Sequence, residues 1–145
     1  MTRGMRNNNP LNIRRSAANK WQGETKALPQ RGSGEGASHG TGEGAFCSFI
    51  DISYGLRAAF CILRTYRNKY KAVCIEDIVT RWAPPTENDT QKYIHDVCKL
   101  TGFGGKERLT ENEWPRLVKA MARIECGTLL DDDVIQKGFN LYKLI

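Results

Sequence analysis

The chain has 145 residues, 40% of them hydrophobic, and a formal net charge of +6. That is enough apolar material for one core, so a single domain spanning 1–145 is expected, and no stretch approaches the ~20 apolar residues of a membrane-spanning helix. Five cysteines (Cys47, Cys61, Cys74, Cys98 and Cys126) form an odd set without C-x-x-C spacing, which indicates neither a complete disulfide framework nor a zinc site. No metal or cofactor is expected.

The charge is unevenly distributed. Residues 1 to 31 hold seven Lys/Arg against Glu24 alone, while the rest of the chain carries 15 basic and 15 acidic side chains. A basic N-terminal surface suits an anionic partner, a cell-wall polymer or nucleic acid; plain solvated charge is the simpler alternative. The opening MTRGMRNNNP lacks the apolar segment of a secretory signal, so the chain as written is expected to be cytosolic when made or to leave by another route.

Residues 3 to 15, RGMRNNNPLNIRR, are too rich in Asn around a central Pro for a regular helix and predict a turn leading into a short extended piece, Leu11 to Arg14. Asn8 and Asn9 either make that turn or hydrogen-bond sugar hydroxyls. Trp21-Gln22-Gly23 follows, then Glu24 to Gly44, which contains six of the fourteen glycines and reads as a loop or the tip of a long hairpin. GSGEG and GTGEG do not follow an apolar strand, and no G-x-x-x-x-G-K-[ST] is present, so nucleotide binding is not indicated. Ala45 to Asp51 is the best strand and closes the hairpin that Trp21 opens.

From Ser53, read as a cap, the chain turns helical. Tyr54 to Tyr70 presents Ala59, Ile62, Leu63, Tyr66 and Tyr70 on one face. Ile75 to Trp82 repeats the pattern and ends before Pro84-Pro85. Thr86 to Asp89 supplies caps for Thr90 to Leu100, with Tyr93, Ile94, Val97 and Leu100 inward and Gly102 as the stop. After a connection over Phe103 to Thr110 comes the most informative helix, Asn112 to Gly127, with Asn112 as cap and Pro115 in the first turn. Asp131 to Asp133 starts a last helix with Ile135, Phe139 and Tyr142 inward, and the acidic triplet is explained by the helix dipole. The picture is five helices and a small β-hairpin.

Among these five helices the fourth, from Asn112, carries the chemistry. Trp114, Leu117, Val118, Met121 and Ile124 form its buried stripe, and at about 100° per residue Glu125 projects back into the middle of it. Burial raises a carboxyl pKa, as a general acid near neutral pH requires. The plain alternative is a helix-end Glu that bends out to solvent or pairs with Arg. A Cys126–His pair is the lesser chemical option.

AMARIECG resembles the catalytic helix of the lysozyme superfamily. NNNPLNIR…WQG…FCSF…YGLRA is similar to the Asn-Pro, Trp-x-Gly and hairpin region of bacterial and phage peptidoglycan hydrolases, above all glucosaminidase-like ones. RWAPPTENDTQKYI is similar to their later tyrosine-bearing segment. Together these strings resemble a group of phage-derived lysozyme-like proteins, some of them virion components, over most of residues 3 to 142. In that family the glutamate helix precedes the Asn-Pro region, whereas here it lies near the C-terminus. The resemblance therefore implies a mainly α (α+β) lysozyme-like domain, circularly permuted, with an Asn/Pro turn and hairpin region (1–52) and a helical region (53–145). Adjacent termini would leave the helix in its usual place in space.

The resemblance implies that Glu125 is the general acid cleaving β-1,4 glycan linkages of peptidoglycan, as a monomer. The developing positive charge then needs an anion, a positioned water or the substrate's own N-acetyl group. Glu24 is the first choice as second acid, Glu43 and Glu35 are looser candidates, and Glu87 serves as a capping residue. Trp21, Tyr93, Asn8 and Asn9 are the candidate sugar contacts, with core packing as the alternative for Trp21 and Tyr93 and turn-making for Asn8 and Asn9. The alternatives are a non-catalytic wall-binding or virion structural module, and last a nucleic-acid binder.

Overall fold

The computed structural model describes residues 1–25 and 45–145. In chain order these hold α1 (Arg3–Arg6), β1 (Glu24–Thr25), β2 (Ser48–Phe49), α2 (Ile52–Tyr70), α3 (Ile75–Trp82), α4 (Thr90–Thr101), a 3-10 turn (Glu111–Glu113), α5 (Trp114–Cys126) and α6 (Asp132–Lys143). The fold is mainly helical with one two-stranded antiparallel sheet, in which Glu24 faces Phe49 and Thr25 faces Ser48. No described helix is long and apolar enough to cross a membrane.

The centre is the pairing of α2 with α6. Phe60 lies 4.9 Å from Phe139 and 5.8 Å from Tyr142 between ring centroids, and Trp114 of α5 closes on Tyr142 at 6.1 Å. The close approach depends on Gly138, where a Cβ would sit 2.5 Å from that of Leu56. Leu56, Ala59, Phe60 and Leu63 form the inward face of α2. Tyr70 instead lies exposed at the end of the helix, because α2 runs on past the core to Lys71, whose left-handed backbone (φ 54°) ends it. Its N-cap is Asp51, accepting from Ser53 N at 3.0 Å, with the expected cap Ser53 buried in the first turn.

Two further expectations shift at helix ends. Leu100 is exposed, since the buried stripe of α4 passes through Thr90, Ile94, Val97 and Thr101. α5 is preceded by a capping box between Thr110 and Glu113, so Asn112 lies inside the 3-10 turn and does not cap it. Gly127 (φ 77°) does end α5.

The Asn-rich segment opens with a single helical turn, α1, which the Asn and Pro content had argued against. After it Asn8 and Asn12 both adopt φ 53°, a conformation Asn tolerates by bonding locally. This segment also explains why β2 is short. The 45–49 stretch bonds on one side to the N-terminal loop, through Arg15 N to Ala45 O, Cys47 N to Ile13 O and Phe49 N to Asn7 O, each 2.9 Å. Of the strand expected over Ala45 to Asp51, only Ser48 and Phe49 pair with β1. The Gly-rich tip, with Glu35, His39 and Glu43, lies outside the described residues.

The N-terminus docks on the end of α5. Thr2 Oγ1 donates to Cys126 O at 2.8 Å, and Gly4 packs so near that a Cβ there would lie 3.1 Å from Cys126 Cβ.

Candidate functional site

Glu125 is the penultimate residue of α5, partly buried where α5, α4 and the Asn-rich loop meet. Its Oε2 accepts from the Tyr93 hydroxyl at 2.9 Å, and its Oε1 accepts from Asn12 Nδ2 at 3.1 Å. The same Asn12 amide bonds the Glu125 backbone carbonyl at 3.0 Å, fixing the helix end and the carboxyl together. Burial pushes the carboxyl pKa up, while donation from Asn12, Tyr93 and Trp82 and the charge of Arg3 pull it down; burial prevails.

The carboxyl faces a cleft of about 650 Å³ that Trp21, Phe46, Tyr66 and Trp82 line with rings and Asn12, Arg14, Glu87 and Asn88 line with polar groups. Tyr66 and Trp82 meet edge to face at 6.3 Å, and Arg3 and Arg14 stack on Phe46 at 3.6 and 4.9 Å. Flat apolar faces beside hydrogen-bonding groups and an acid are what a sugar ring needs, since its two faces carry C–H groups and its edge carries hydroxyls.

The anticipated site residues divide in two. Glu125 and Trp21 share the cleft, and Tyr93 lies beneath it, 8% exposed, where it holds the carboxyl and offers no stacking surface. Asn9 is 1% exposed and fully occupied: Nδ2 donates to Ile13 O and Cys47 O, and Oδ1 accepts from Ile13 N, all at 2.9 Å. That excludes it as a sugar contact. Asn8 donates to Phe49 O at 3.0 Å as part of the same turn. Glu24 pairs with Arg15 at 3.0 Å and accepts from Trp21 N at 3.2 Å, with its side chain 12% exposed. It is absent from the lining of the Glu125 cleft. Its charge instead helps burial push the Cys47 thiol pKa up to about 12.

Cys126 is buried with its thiol toward Thr128 O (3.9 Å), and His95 is exposed on α4, so these two form no nucleophilic pair. All five cysteines are free. Among the described residues no group of three or more His, Cys, Asp or Glu could hold a metal ion.

Three contributors escaped the sequence reading. Asn12 is indistinguishable by type from its neighbours Asn7 to Asn9. Trp82 reads as core from its helical spacing, yet it reaches both the cleft and Glu125. Glu87 looked like a cap, but Asp89 caps α4 by accepting from Lys92 N at 3.1 Å, which leaves Glu87 exposed at the edge of the cleft.

Fold and site define a mainly helical protein with a partly buried carboxyl set in an aromatic-lined cleft. No protein-family model matches the chain. It is 37% identical over 140 residues to Protein P5 of Pseudoalteromonas phage PM2, a match covering 94% of this chain and 79% of that protein. The chain belongs to the family of that phage protein.

Proposed function

We propose that the protein binds the glycan strands of peptidoglycan in the Glu125 cleft and cleaves a β-1,4 linkage there, with Glu125 as general acid. The observation that carries this reading is the Glu125 carboxyl itself, raised in pKa by burial and oriented by Tyr93 and Asn12 beside an aromatic-lined cleft. A protonated carboxyl delivers its proton to the glycosidic oxygen as the bond to the anomeric carbon breaks. The positive charge left on the sugar is met by the substrate's own N-acetyl oxygen or by water that Glu87 orients. Glu87 replaces Glu24 as the second carboxylate, since it lines the same cleft.

The lysozyme-like, circularly permuted topology is part of the same proposal. The contact of Thr2 with Cys126 supports it, because it brings the end of the glutamate helix against the start of the Asn-Pro segment, where the unpermuted order joins them by a peptide. The phage source of the related Protein P5 fits a wall-directed role.

The second reading, a wall-binding or virion structural module without activity, is favoured by the pairing of Glu24 with Arg15 and the exposure of Glu87. Release of soluble glycan fragments from purified peptidoglycan, by wild type and by Glu125→Gln, separates the two. The hydrolase reading expects release by wild type and its loss, by about 100-fold or more, in a folded Glu125→Gln protein. Binding by both without release assigns the module instead.

A further inference from the structure

Trp21 and Asn19 line the Glu125 cleft on one side and a second cavity, of about 500 Å³, on the other. That second cavity is basic. Arg57 and Arg64 rise from α2 seven residues apart, on the same face as Cys61, and Lys20 completes the lining. Among the described residues no Asp or Glu lines it, and Ile145 lies at its edge.

These two differ from Arg67, the third arginine of α2. Arg15, Arg67 and Lys119 each have a carboxylate partner, Glu24, Glu111 and Asp132 respectively. Arg57 makes no hydrogen bond or ion pair among the described residues, and the contact of Arg64 is with the Tyr142 ring, 5.8 Å from its centroid. Both are half-buried, and together they lower the pKa of the Cys61 thiol against the upward push of burial. Two half-buried guanidinium groups that pair with no Asp or Glu among the described residues leave positive potential in a concave surface, which draws in an anion.

We infer that Lys20, Arg57 and Arg64 form an anionic subsite that continues the Glu125 cleft past Trp21, receiving a carboxylate carried by the glycan strand. This rests on the glycan reading of the cleft and adds to it the class of substrate, since a neutral β-1,4 polymer of N-acetylated sugars would leave these cations unmatched. A wall glycan carries carboxylates on its peptide stems, and on its lactyl ethers where no stem is attached. A strand lying across Trp21 places one sugar stretch at Glu125 and an acidic substituent at the arginines.

The test compares wild type, Arg57→Gln/Arg64→Gln and Arg57→Lys/Arg64→Lys for binding to insoluble peptidoglycan and to chitin, the uncharged counterpart, over a salt series. Wild type is expected to prefer peptidoglycan, with affinity falling as salt rises. The glutamine pair is expected to bind peptidoglycan about tenfold more weakly with a flatter salt response, while its chitin binding, which also reports folding, is unchanged. The lysine pair is expected to recover most of the loss. Equal peptidoglycan affinity and salt response in the glutamine pair would overturn the subsite and leave the glycan reading standing. Failure of wild type to bind either polymer overturns both. Tighter binding to duplex DNA than to peptidoglycan, lost in the glutamine pair, assigns the face to nucleic acid and overturns the subsite as well.

Discussion

The Tyr93 hydroxyl donates to Glu125 Oε2 at 2.9 Å, a bond between residues 32 apart in sequence that joins α4 to the end of α5. Donation to the charged carboxylate favours that form, so it opposes the effect of burial. Tyr93→Phe keeps the ring and removes the donor. The carboxyl pKa is expected to rise further, moving the alkaline limb of glycan release to higher pH, at a stability cost of about 1 kcal/mol. An NMR titration of the Glu125 side chain in both proteins checks the shift directly; no displacement would remove Tyr93 as a positioning residue.

Stability carries the same signature with opposite use. Because the folded pKa of Glu125 lies above its unfolded value, the folded state holds this proton more tightly than the unfolded chain does. Its contribution is complete below the ordinary carboxylate pKa and is lost as pH rises through the raised folded value. Glu125→Gln cannot titrate, so its stability relative to wild type should increase with pH across that window and then level off. Urea midpoints of both proteins over a pH series measure it, and a constant difference would mean that burial does not control this group.

Asn9 and Asn8 are adjacent and alike, yet the structure separates them. Asn9→Ala leaves Cys47 O and Ile13 N without this partner in a buried setting, while Ile13 O keeps its bond from Cys47 N, and should cost about 3 kcal/mol. Asn8→Ala loses one part-buried bond and should cost about 1 kcal/mol. Denaturant unfolding of the two variants should show this gap, and equal losses would contradict the assigned bonding.

The choice of second carboxylate is open to a paired measurement. Glu24→Gln weakens the contact with Arg15 and should lower stability by about 1 kcal/mol while leaving glycan release within a few-fold of wild type. Glu87→Gln should leave stability unchanged and lower release by about tenfold or more. The reverse pattern would return the role to Glu24.

Much of the helical framework was legible, because periodicity records which face of a helix meets a core. α3, α4, α5 and α6 lie close to where apolar spacing, capping residues and glycines put them, and the inward turn of Glu125 follows from its place on the α5 stripe. What was not legible depends on contacts between distant segments. The identity of the inward face of α2 was set by α6, through Phe60 against Phe139 and Leu56 against Gly138. The same holds at the site: Asn12, Trp82 and Tyr93 gain their roles only from where α5 ends. An asparagine that caps a carboxylate and one that knits a loop are the same letter in the chain.

The groups that hold the Glu125 carboxyl come from positions 12, 82 and 93, so this acid is tuned only when three distant segments are packed against the end of α5. Before α5 docks, the chain holds no tuned carboxyl. Only when α5 is made and docked, with Thr2 closing on Cys126, does the group acquire its altered affinity for a proton.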